Sequence, residues 1–103
     1  HSYTVLLNDL RVQAELIRET LANYAEIIPL NQSVVSSAEE DLKLVRERYS
    51  LGSATILEVL DAQVSLIRSN SNLINIIHDA RVQEASLKAV LGTLDLEYQP
   101  KEK

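Results

Sequence analysis

The sequence predicts an all-α protein, built as a long antiparallel two-helix coiled-coil hairpin. Apolar residues recur every 3.5 residues along the first half, which is the period of a left-handed coiled-coil seam. A glycine followed closely by a helix-start signal divides the chain near its middle. Aromatic content is only 4%, and the 103 residues include just two glycines and two prolines. This composition suits long helices and disfavours a β-rich fold.

The first helix is predicted over about residues 3–50. Its apolar positions alternate spacings of four and three, and only Asn31 breaks their apolar character. These positions, called seam 1, are Tyr3, Leu7, Leu10, Ala14, Ile17, Leu21, Tyr24, Ile28, Asn31, Val35, Ala38, Leu42, Val45 and Tyr49. A run of this length predicts a partner helix packed along one face.

Pro29 lies inside the first helix and removes one helical hydrogen bond, at a cost on the order of 3 kcal/mol in a helix interior. The apolar register passes through the proline unshifted, which favours a single helix that is kinked there. The alternative is a break, in which one helix stops near Ile27 and another restarts at Leu30. Pro29 would then occupy a first-turn position, where proline is tolerated.

The hairpin tip is predicted at residues 51–54. Gly52 follows the last periodic residue, where a left-handed C-terminal cap favours a residue without Cβ. Thr55 precedes a new apolar run, and Glu58 lies three residues beyond it. Thr-x-x-Glu is a capping box, in which the hydroxyl and the carboxylate satisfy free amide groups at a helix start.

The second helix is predicted over about residues 55–91, with Gly92 as the next stop signal. The hairpin thus takes up residues 1–92, and residues 93–103 form a polar tail that is extended or frayed. The helix has two apolar stripes, so we expect neighbours on both sides or a partner beyond this chain. Seam 2 is Val59, Ala62, Leu66, Ser69, Leu73, Ile76, Ala80, Gln83, Leu87 and Val90, and the second stripe is Ile56, Leu60, Ile67, Ile74 and Ile77.

Several classes of function are disfavoured by composition. The net charge is −5 and no basic stripe is visible, so we expect no nucleic-acid partner. There is no cysteine and His78 is the one non-terminal histidine, so we expect no metal site, no cofactor and no catalytic residues. No Gly-x-Ser-x-Gly or phosphate-binding loop occurs, and no run of roughly 18 apolar residues could cross a bilayer.

The tip also carries a family resemblance. Tyr49, Gly52 and Thr55, followed by the run Leu-Glu-Val-Leu-Asp-Ala-Gln at residues 57–63, resemble the periplasmic tip of TolC-type outer membrane factors. The resemblance extends upstream through Pro29 and Ala-Glu-Glu at residues 38–40, and downstream to Ala-Val-Leu-Gly at residues 89–92. These factors are the exit ducts of tripartite efflux pumps and type I secretion systems.

The resemblance implies a non-catalytic role in the periplasmic tunnel of an outer membrane duct in a Gram-negative bacterium. The chain would be the second of two similar hairpins in a homotrimeric protein whose signal and barrel strands lie elsewhere, and would itself make no membrane contact. A periplasmic adaptor (a membrane fusion protein) would dock at the tip, and would link the duct to an inner-membrane transporter. The docking residues implied are Arg48, Tyr49, Ser50, Leu51, Gly52, Ser53, Ala54 and Thr55.

The resemblance also assigns Glu58 and Asp61 to the tunnel entrance, where threefold symmetry would form rings of carboxylates that attract cations. The plainer interpretation is that both acids favour the positive end of the helix dipole, and the two roles are compatible. Tyr49 either packs at the end of the seam or acts as a latch that keeps the entrance closed. The arginine that partners this tyrosine in the family is replaced by Ala54, which leaves Arg46 or Arg48 as substitutes.

A second hypothesis is a free-standing coiled-coil interaction or scaffold module. It explains the apolar seams and the capping signals equally well. It does not explain why the tip residues and the acidic run after them occur together.

Overall fold

The computed structural model describes residues 2–98, which form two helices, α1 (Ser2–Ser50) and α2 (Ile56–Tyr98). A five-residue connection joins them, and the described residues contain no strand. The all-α two-helix hairpin predicted from the sequence is therefore confirmed. Neither helix, as far as it is described, has a stretch long and apolar enough to cross a membrane.

Helix α1 runs through Pro29 without interruption. The alternative of two helices separated near Ile27 is therefore wrong, while a kink at the proline stays a prediction. The polar seam residue nearby satisfies itself locally, because the Asn31 side-chain amide donates to the Ile27 carbonyl at 3.0 Å. An i−4 bond of this kind lets a polar residue occupy the seam without an unpaired donor.

Seam 1 is the face of α1 that is removed from water. Its members from Leu7 to Val45 are all buried or half-buried, and Thr20 is the only other described α1 residue that is not exposed. The two ends of the seam, Tyr3 and Tyr49, are exposed. The 3.5-residue period therefore predicted the packed face of α1 between Leu7 and Val45, and failed at the two ends of the seam.

Helix α2 has one covered stripe and one uncovered stripe. Every member of seam 2 is buried or half-buried. In the second stripe Ile56, Leu60, Ile67 and Ile74 are exposed, and Ile77 is half-buried. The partner helix within the hairpin thus covers one stripe and leaves the other unpartnered.

The end of α2 differs from the prediction. The helix continues through Gly92 to Tyr98 instead of ending at about residue 91, so the first part of the predicted tail is helical. Leu94 is half-buried and continues the spacing of seam 2 after Val90, so the apolar contact persists beyond the glycine. Residues 99–103, the rest of the predicted tail, lie outside the described residues, as does residue 1.

The chain divides into two compact units. One contains the described residues up to Ala25 together with those from His78 onward, and among them the buried residue is Ala14. The other contains Glu26–Ile77, and its core consists of Val35, Ala38 and Leu42 from α1 with Val59 from α2. This second unit carries the connection between the helices and the candidate site.

Candidate functional site at the hairpin tip

The tip begins with a Schellman motif, in which backbone amides beyond the helix end satisfy its last carbonyls. The Ser53 amide donates to the Arg48 carbonyl at 2.7 Å, and the Gly52 amide donates to the Tyr49 carbonyl at 3.0 Å. Gly52 has φ +82°, in the left-handed region that residues with a Cβ disfavour. The predicted glycine cap is confirmed.

The start of α2 has half of the predicted capping box. The Glu58 amide donates to the Thr55 hydroxyl at 3.2 Å, so Thr55 is the N-cap of α2. The reciprocal bond, in which the Thr55 amide would donate to the Glu58 carboxylate, is not found among the described residues. The carboxylate instead faces Arg48, with Oε1 3.8 Å from Nη1. An ion pair between the two helices has thus replaced the local hydrogen bond of the capping box.

Arg48 joins the three parts of the tip. Its backbone carbonyl accepts the Ser53 amide, and its side-chain Nη2 donates to the Ser53 carbonyl at 2.9 Å. Its Nη1 reaches Glu58 in the first turn of α2. From the last turn of α1, Arg48 therefore contacts both the loop and the start of α2. Sequence reasoning placed Arg48 among the docking residues and missed this role, although a basic residue in the last helical turn was a usable signal.

The remaining tip residues are mostly open to water. Leu51 is 81% exposed, and Tyr49, Ser50, Gly52 and Ser53 are exposed as well. Ala54 is half-buried. An apolar side chain as open as Leu51, on a loop held by several hydrogen bonds, is available to a partner.

Tyr49 is exposed, so its ring is not packed into the end of the seam. No hydrogen bond or ion pair to its hydroxyl is found within residues 2–98. Among the described residues, neither Arg46 nor Arg48 therefore makes a hydrogen bond to the Tyr49 side chain. A latch role for Tyr49 stays a prediction that needs a partner from outside this chain.

Glu58 and Asp61 both lie on exposed positions of the first turns of α2. Their surroundings differ, because Glu58 has Arg48 beside it and Asp61 has no ion pair within the described part of the chain. No group of three or more His, Asp or Glu residues able to hold a metal ion occurs among the described residues. The described tip thus offers two surface carboxylates for electrostatic attraction.

Comparison with known proteins identifies relatives of this chain. The sequence pattern of the family described as outer membrane efflux protein matches residues 10–93. "Outer membrane protein TolC" of Escherichia coli (strain K12) is 34% identical over 74 residues, which cover 72% of this chain and 15% of that relative. The protein of the same name from Salmonella enteritidis matches with the same identity and coverage. The chain thus spans about 15% of the length of these curated relatives, and no solved structure matches it significantly.

Proposed function

The chain belongs to the outer membrane efflux protein family, and on that premise we propose that it forms one helical hairpin in the wall of an efflux or secretion duct. Its work there is mechanical and electrostatic, without catalysis. The exposed second stripe of α2 supports this proposal, because a wall segment needs neighbours on both sides. Family membership favours the duct over a free-standing coiled-coil module.

The proposed assembly is a homotrimer with its helical part in the periplasm. The tip docks a periplasmic adaptor, through which the duct is linked to an inner-membrane transporter. The observation that carries the docking proposal is the exposed tip, where Leu51 is 81% exposed on a loop fixed by the Schellman motif and by Arg48. A rigid apolar contact binds well, because little conformational entropy is lost on binding.

A charge placed at Leu51 tests the docking role. In the complete duct protein that contains this chain, Leu51→Asp should reduce co-purification of the adaptor at least about tenfold, since a carboxylate would be buried unpaired. Val12→Asp is the matched control, because Val12 is also exposed but lies on α1, outside the tip. Equal co-purification of the Leu51→Asp variant and the unmodified protein would remove the docking assignment.

The second part of the proposal concerns entry. Glu58 and Asp61 form rings of carboxylates around the threefold axis, and these rings attract cations to the tunnel entrance. Replacing both, as Glu58→Gln with Asp61→Asn, should weaken the block of ion current by La³⁺ in planar bilayers by about tenfold or more. Undiminished block in the double variant would show that the carboxylates act only on the helix dipole.

A further inference from the structure

We infer that Arg48 neutralises Glu58 at the tip, so that Asp61 alone sets the charge that an arriving cation meets. This inference rests on the proposed entrance role of the two acids and divides that role between them. It makes Arg48 a positioning residue that determines the charge of the site without facing the cation itself.

The Arg48 side chain is anchored by the loop. Its Nη2 is fixed by the Ser53 carbonyl at 2.9 Å, and its main chain is fixed by the Schellman bond to the Ser53 amide. An exposed ion pair is usually weak, because two mobile side chains must be held in one geometry. Here the loop already holds the guanidinium, and its planar fork still presents Nη1 to Glu58 at 3.8 Å. Less freedom is therefore lost when this pair forms.

The Glu58 carboxylate does not complete the capping box in the described structure. A Glu at this position ordinarily turns back to the N-cap amide, which is the local alternative for its carboxylate. In the described structure the Glu58 carboxylate faces Arg48 instead, although Thr55 keeps its own half of the box. The side chain is thus directed toward the α1 end of the tip, where a positive charge meets it.

Asp61 differs from Glu58 in its surroundings. It lies three residues after Glu58, on the same side of α2, and is exposed. No Arg, Lys or His of the described chain makes an ion pair with it. Two acids that look equivalent in the sequence therefore differ in net effect, because one belongs to a pair of opposite charges and the other stands alone.

The experiment measures La³⁺ block of the complete duct protein in planar bilayers. Removing the pair as a unit, with Arg48→Gln and Glu58→Gln together, should leave the blocking concentration unchanged within about twofold. Asp61→Asn added to that background should abolish the block. Arg48→Gln alone should strengthen the block about two- to fivefold by releasing the Glu58 charge. Arg46→Gln is the matched control and should have no effect, because Arg46 is exposed and makes no ion pair within the described residues.

Loss of La³⁺ block in the variant that carries both Arg48→Gln and Glu58→Gln would overturn the inference, since Glu58 would then contribute its charge directly. The inference would also be overturned if Arg46→Gln strengthened the block as much as Arg48→Gln does. Such a result would indicate a long-range effect of net charge. A duct that La³⁺ does not block at all would refute the proposed entrance role instead.

Thermal unfolding of this chain, monitored by the helical signal in circular dichroism, tests independently whether Arg48 and Glu58 interact. Arg48→Gln and Glu58→Gln should each lower the midpoint, and together they should lower it by less than the sum. Purely additive shifts would show that the two side chains do not interact, and the inference would fail whatever the bilayer result.

Discussion

The two glycines of this chain have opposite roles, although the sequence marks both as helix ends. Gly52 adopts φ +82° and ends α1, whereas Gly92 stays within α2 and has no positive φ. The difference comes from the residues on the C-terminal side of each glycine. Gly52 precedes loop residues that bond back to the helix, while Gly92 precedes Leu94, which is half-buried and continues seam 2. At Gly92, the packing of the residues that follow therefore overrides the helix-ending tendency of glycine.

Replacing each glycine by alanine should therefore change stability in opposite directions. Gly52→Ala should lower the free energy of unfolding by about 1 kcal/mol, the usual cost of a Cβ in the left-handed region. Gly92→Ala should raise the free energy of unfolding by up to about 1 kcal/mol, because alanine favours a helix interior. Nothing lies within 4 Å of a Cβ built at either position, so steric clashes do not confuse the comparison.

Urea unfolding followed by circular dichroism at 222 nm measures both changes. Each glycine variant serves as the control for the other. A loss of stability from both would mean that Gly92, too, depends on a conformation that only glycine adopts, and the explanation of why α2 continues would be wrong.

At the scale of the helices, the packed faces and the caps at Gly52 and Thr55 could be predicted from the sequence, and the contacts of the Arg48 side chain could not. The 3.5-residue period identifies seam 1 and seam 2, because the residues that face one partner helix recur at this spacing along the chain. The Arg48–Glu58 contact joins residues on two different helices, and it depends on how the loop directs the guanidinium. The Thr-x-x-Glu pattern predicted a capping box. The Thr55 half of it is present, and the Glu58 carboxylate faces Arg48 instead of the Thr55 amide.

Leu42 and Leu44 test the assignment of the packed face of α1. Leu42 is 6% exposed on seam 1, and Leu44, two residues away, is 50% exposed. Leu42→Ala should lower the free energy of unfolding by about 2 kcal/mol or more through lost burial and a cavity. Leu44→Ala should change it by less than about 0.5 kcal/mol, as exposed substitutions usually do.

The same urea unfolding measurement serves for this pair, and the helix propensity change is identical in both variants. Equal losses of stability would show that the covered face of α1 is wider than seam 1. A larger loss at Leu44 than at Leu42 would place the seam on the wrong face.

At the scale of the whole molecule, the question is what covers the second stripe of α2. Ile67 and Ile74 are each 64% exposed, and Ile56 and Leu60 are exposed on the same stripe. Branched aliphatic side chains at helical spacing on an exposed face predict a partner, because each one buried is worth about 1.5–3 kcal/mol. In the proposed duct, another helix of the same assembly covers this stripe.

Ile67→Gln combined with Ile74→Gln should therefore weaken self-association of the chain on the order of tenfold or more, while the helix content stays unchanged. Glutamine keeps good helix propensity and removes the apolar contact, so loss of association without loss of helix separates packing from folding. Val82→Gln is the matched control, because Val82 is also exposed on α2 but belongs to neither seam 2 nor the second stripe, and it is not three or four residues from any member of that stripe. Sedimentation equilibrium gives the association constants, and circular dichroism gives the helix content. If the double variant associates as strongly as the unmodified chain, the second stripe is not the contact between copies, and the wall segment must meet its neighbours through another face.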